Sequence, residues 1–110
     1  MDARVINVGR DFHSAPAGRS VDDGPYSGEA FRKRILIPAL SAGLSVTVEL
    51  DDTEGYGSSF LEEAFGGLIR SGTFTLEELK ARLRLVSSED PTLVTEIWSY
   101  IEQAQPPRPN

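Results

Sequence analysis

The chain has 110 residues, a single histidine, no cysteine and a formal net charge of −6. That length suits one domain with a modest core. The lack of cysteine excludes disulfides, thiolate chemistry and cysteine-based metal sites, and the acidic balance argues against a nucleic-acid-binding module, whose footprint is basic.

No apolar run approaches the roughly 20 residues that span a bilayer. Met1-Asp2-Ala3-Arg4 carries no secretory pattern, so a cytoplasmic address is expected, with no membrane partner. Arg4-Val5-Ile6-Asn7-Val8 predicts a short first strand. Gly9 to Pro25 reads as a polar loop with a possible second strand at Arg19-Ser20-Val21. Arg10, Asp11, Arg19, Asp22 and Asp23 are its charged members, and internal salt bridges or a docking role would both use them. His13 alone cannot build a histidine-rich metal site and is read as a surface loop residue.

Ser27 is placed to cap a helix whose buried side carries Phe31, Ile35, Ala39 and Leu40. Pro38 should kink or end that helix, and Gly43 is a suitable stop. Val46-Thr47-Val48-Glu49-Leu50 alternates apolar and polar, the period of a strand with one buried face. Phe60, Leu61, Ala64, Phe65, Leu68 and Ile69 then recur at helical spacing.

The junction between that strand and helix is Glu54-Gly55-Tyr56-Gly57-Ser58-Ser59. Gly55 and Gly57 permit a tight turn and close approach of another molecule. Ser59 and Glu62 fit a capping box, which leaves Ser58 outside the helix without a structural duty unless, with the boundary one residue earlier, Ser58 is itself the cap. The junction lacks the lysine and spacing of a nucleotide-binding P-loop. Gly66 and Gly67, costly inside a helix, are expected where it approaches a neighbour closely.

Thr75 with Glu78 predicts a second capping box, and Phe74 with Leu79 a hydrophobic staple, opening a helix that buries Leu76, Leu79 and Leu83. A last strand is placed around Leu83 to Ser87. Asp90 and Pro91 start a final helix whose core face holds Leu93, Val94, Ile97, Trp98 and Ile101. Residues 1–104 are read as one domain, and residues 105–110 as a disordered, Pro-rich tail.

This order of elements resembles a STAS domain, the fold of bacterial anti-sigma-factor antagonists, and more closely the STAS-like family of unknown function. The residues that carry the resemblance are Gly9-Arg10-Asp11-Phe12, Pro16 with Gly18-Arg19, Ser27-Gly28-Glu29 with Phe31-Arg32, and the run from Gly55 to Gly67. It extends roughly from Val5 to Ala104. It implies an α/β fold: a small mixed sheet of about four strands, with about four helices mainly on one face.

In antagonists the junction reads Asp-Ser-Ser-Gly, and its first serine is phosphorylated by a partner that is both kinase and anti-sigma factor. That serine falls on Ser58 and the next on Ser59, with Gly57 in place of the aspartate and Phe60 in place of the glycine. The resemblance therefore implies a non-enzymatic regulatory module, without cofactor, metal or catalytic residue, and with Ser58 as candidate phosphoacceptor. Its expected partner is a histidine-kinase-like ATPase or anti-sigma-type regulator, docked through Gly55, Tyr56, Gly57, Ser58, Ser59 and Glu62 with Arg10 and Arg19 nearby. The alternative is a small-ligand or nucleotide-binding domain that uses the Gly55–Ser59 junction and the Arg10/Arg19 loop. An enzyme built from Arg10, Asp11, His13, Arg19 and Ser58 has no supporting base–nucleophile spacing.

Overall fold

The structure, a computed structural model, describes residues 3–43 and 45–108. Met1 and Asp2 of the expected domain, and Pro109 and Asn110 of the expected tail, lie outside the described residues. Three strands form one sheet: β1 (Ala3–Asn7), β2 (Ser45–Glu49) and β3 (Leu83–Val86), in the order β1-β2-β3 and all parallel. Val5 pairs with Thr47 and Thr47 with Arg84; one row on, Ile6, Val48 and Leu85 are in register. Helical crossovers join the strands, as parallel pairing requires.

The expected mixed sheet of about four strands is therefore corrected to three parallel strands among the described residues. The segment proposed as a second strand turns instead: Val21–Asp23 is a 3₁₀ turn, because the Asp23 carboxylate folds back onto the Arg19 and Ser20 amides. That local bonding competes with a strand ladder.

Five helices are present among the described residues, one more than expected. The first, α1 (Val8–Asp11), is a single turn at the end of β1, capped by the Asn7 side chain. Helix α2 spans residues 28–41 and α3 residues 58–70; α4 is Leu76–Arg82 and α5 is Thr92–Gln103. Ser27 caps α2 through the Ala30 amide, and both bonds of the Thr75–Glu78 box are formed at α4. At α5, Asp90 accepts from the Thr92 amide at 3.1 Å, while Pro91 already has helical dihedrals.

Pro38 does not end α2, which continues to Ser41. A π-helical turn, Arg32–Leu36, lies just ahead of it and takes up the disturbance of the hydrogen-bond ladder.

The core lies on one face of the sheet. Ile6, Val46, Val48, Leu83 and Leu85 all point into it and meet Phe31, Leu36, Phe60, Leu61, Phe65, Leu79 and Ile97. Two glycines set how closely the elements approach. At Gly9 a Cβ would lie 1.9 Å from the Asp52 carbonyl oxygen, where the β2–α3 connection crosses α1. At Gly28 it would lie 2.4 Å from the Phe60 carbonyl oxygen, so the starts of α2 and α3 touch backbone to backbone.

Candidate functional site

Strand β2 ends at Glu49, and the chain then crosses the carboxyl end of the sheet before entering α3 at Ser58. Ligand crevices of open α/β sheets form at this end where the strand order reverses; the order β1-β2-β3 has no such reversal, so the rim is open rather than a crevice between opposed helices. The connection is pinned at four points. The Asp51 carboxylate accepts from the Ser88 and Glu89 amides and the Ser87 hydroxyl, which holds it below the usual carboxylate range. The carboxylate of Asp52, a residue at φ 68°, accepts from the Asn7 side-chain Nδ2 at 2.8 Å. The Glu54 amide donates to the Ser14 carbonyl at 2.7 Å.

Tyr56 is the fourth pin. Its hydroxyl donates to the Leu50 carbonyl at 2.7 Å and its ring packs on Phe60. Burial pushes its pKa up to about 12. Gly55, at φ 127°, makes the turn before it. Tyr56 is thus a structural strut of the junction, while Gly55, Gly57, Ser58 and Ser59 are exposed.

The predicted cap of α3 is corrected. Gly57 is the N-cap and no side chain caps the helix, so Ser58 and Ser59 are its first two residues. Leu61 is the first to donate back, to the Gly57 carbonyl at 3.3 Å, which leaves the Ser58, Ser59 and Phe60 amides without an intrahelical partner. Among the described residues, neither serine hydroxyl makes a hydrogen bond. Glu62 does not close a box with Ser59 because arginines claim it. Arg19 reaches it at 2.6 Å, and Arg70 binds its other oxygen.

Glu62 belongs to a network of three guanidiniums and two carboxylates on the outer side of α3. Arg19 also meets Glu63 at 3.3 Å, and buried Arg32 meets the Glu63 carboxylate at 2.7 Å and its carbonyl. Burial pushes the Glu62 pKa up, but the Arg70 and Arg19 hydrogen bonds outweigh it and hold the group below its usual range. The Glu62 bond likewise raises Arg19. Glycines make this possible: Glu62 folds down over Gly66, and Arg32 lies across Gly67. Glu63, whose carbonyl Arg32 takes, lies within the π-helical turn Glu62–Gly66.

Arg10 pairs loosely with Glu49 at 3.6 Å. Among the described residues, no hydrogen bond or ion pair joins Arg10 or Arg19 to Gly55–Ser59, so the structure brings Arg19 to Glu62 but not the arginines to the serines. A crevice of about 190 Å³ beside Tyr56 is lined by Asp51, Glu54, Glu89 and Asp90. Four carboxylates there would repel a phosphate.

His13 stacks on Tyr26 at 3.7 Å and accepts from the Ala15 amide, engaged away from either serine. Among the described residues, no group of three or more metal-ligating side chains is placed to hold an ion, and no helix is long and apolar enough to cross a membrane. Sequence reasoning passed over Asn7 and Arg70, and took Arg32 only as one of the residues that carry the resemblance. Arg32 had a legible signal, a cation inside an apolar helical stripe; Asn7 and Arg70 had none.

Residues 27–93 match a family model described as a STAS-like domain of unknown function. The chain belongs to this STAS-like family. No curated protein and no solved structure matches it. The matched segment opens at the Ser27 cap and closes in α5, so it holds the junction, β2, β3 and the Arg32–Glu63–Gly67 contact. It is narrower than the resemblance from Val5 to Ala104. Gly9–Phe12, Pro16 and Gly18-Arg19 fall outside it, and with them Arg10 and Arg19. Several family-like residues have packing roles: Gly28 admits α3, Glu63 binds Arg32, and Gly67 makes room for that arginine.

Proposed function

We propose that this STAS-like domain is a non-enzymatic regulatory module that docks a protein partner at the rim formed by Gly55–Ser59. The observation that carries the reading is the bare start of α3. Ser58 stands exposed at the first helical position, its hydroxyl unbonded among the described residues, on a connection held rigid from beneath. A rigid exposed hydroxyl of this kind is accessible to an enzyme and to a docking surface alike.

The finer reading is that Ser58 accepts phosphate from a histidine-kinase-like ATPase or anti-sigma-type regulator. The modification would add nearly two negative charges. The free amides and helix dipole favour that charge. Glu62 and Glu63, neutralised by Arg19, Arg32 and Arg70, oppose it less than their sequence positions suggest. Glu54 still opposes it. A partner lying over the rim would then be repelled.

The test is incubation with such an ATPase and ATP, then phosphosite mapping by mass spectrometry and a pull-down with Ser58→Ala and Ser58→Glu. Phosphate on Ser58 and loss of the complex with Ser58→Glu are expected. No complex with any such ATPase would remove the reading. The nucleotide-binding alternative is less favoured, because Arg10 and Arg19 are turned to carboxylates and the adjoining crevice is acidic.

A further inference from the structure

All-parallel sheets are almost always covered on both faces. Among the described residues, helices cover only one face; on the other, only Asn7 at the carboxyl end is buried, under the Asp52 connection. There Val5 is 58% and Val86 36% exposed, two of the few large apolar side chains left at the surface. Thr47 lies between their strands. Arg84 is exposed there without a partner among the described residues; the Glu49 side chain is 41% exposed, with Arg10 and Asn7 both on its Oε1 and its Oε2 left for a partner.

We infer that this bare face is a contact surface for a second copy of the chain. The argument is charge self-complementarity. Arg84 and Glu49 sit one strand and two residues apart on the same face. A two-fold axis between facing sheets, passing midway between these positions, exchanges them, so Arg84 of each copy faces Glu49 of the other. With strands about 4.8 Å apart and a rise of about 3.4 Å per residue, that axis passes close to Val86 and Thr47. Val86 then packs on Val86 and Thr47 on Thr47, an isologous contact. The strands cross at roughly 70°, close to the orthogonal class of sheet packing.

The face measures only a few hundred Å² per copy on these spacings, below the roughly 800 Å² per partner of stable complexes. The dimer is therefore weak and concentration-dependent. The helices pack on the opposite face, so the contact does not require the Ser58 rim, and the inference stands independently of the regulatory reading.

The test is sedimentation equilibrium of the full chain from about 10 μM to about 1 mM, a range that brackets weak association. Apparent mass should climb from 12.0 kDa toward twice that value. Wild-type amide shifts should change with concentration at Val5, Thr47, Arg84 and Val86. Arg84→Glu, which has no intramolecular partner to lose, should weaken association at least about tenfold, the scale of a lost interfacial charge pair. Mixing it with Glu49→Lys should restore association. A wild-type chain monomeric throughout, association unchanged in Arg84→Glu and Val86→Lys, or shifts confined to another surface would each overturn the inference. A different cover for this face, such as an unrelated protein, would give the first of these results.

Discussion

Arg32 of α2 lies across Gly67 of α3: a Cβ at position 67 would sit 2.0 Å from the guanidinium Nη1. The arginine is buried, and its Nη1 bonds both the carboxylate and the carbonyl of Glu63. Among the described residues its Nε has no partner and its hydrogen bonds run through Nη1, so its placement depends on the absence of a side chain at 67.

Gly67→Ala should therefore destabilise the domain. The guanidinium cannot swing to water without leaving Glu63 behind. Breaking a buried pair costs roughly 3–5 kcal/mol, with about 3 expected here because Glu63 keeps Arg19. Chemical denaturation checks this, and Arg32→Ala should cost a similar amount.

Gly57→Asp should act in the opposite direction. Gly57 is the N-cap at φ −79° and ψ 150°, a conformation open to any residue, and nothing lies within 4 Å of a Cβ there. An aspartate can accept from the free amides of α3, worth about 0.5–1 kcal/mol over glycine. A higher midpoint in urea confirms it. This substitution also gives the junction the aspartate of the antagonist pattern, so the kinase assay proposed for Ser58 can be run on the same protein.

Gly9→Ala should be among the most damaging single changes. The atom it would meet is the Asp52 carbonyl oxygen, a backbone atom that cannot rotate away as a side chain end would, in a connection that the side-chain bond from Asn7 to Asp52 ties to β1. A loss of more than about 2 kcal/mol is expected, on the scale of overpacking. Thermal unfolding of the variant tests this. An unchanged midpoint would mean that the connection over α1 is loose.

Acid stability should depend on Glu62 and Asp51. Both are lowered in the folded state, so each contributes stability that is fully present above the ordinary carboxylate range. That contribution is lost as pH falls through the lowered folded value, because the unfolded chain then binds more protons. Glu62→Gln should reduce stability at pH 7 and flatten the acid limb of a stability–pH curve. An acid limb identical to wild type would show that the arginine network is solvent-screened.

Local chemistry was legible along the chain. The Thr75–Glu78 box, the Ser27 cap and the alternation of β2 depend on residues within four positions of each other, and each formed as written. The Ser59–Glu62 box obeyed the same rule and failed, because Arg19, far away in sequence, and Arg70 compete for the same carboxylate with a full positive charge. The strand expected at Arg19-Ser20-Val21 failed for a local reason, the carboxylate of Asp23.

From sequence alone followed the three strands and the four longer helices, the face that each of them buries, and the position of the serine pair where β2 hands over to α3; the single turn α1 and the 3₁₀ turn at Val21–Asp23 did not. Those follow from periodicity and nearest-neighbour bonding, which the order of residues encodes directly. Only the tertiary structure decided that the described residues form a sheet of three parallel strands with helices on one face, and that Glu62 and Glu63 are neutralised by arginines from three segments. These depend on pairings between residues distant in the chain, and no local pattern specifies which of several oppositely charged or apolar partners will meet.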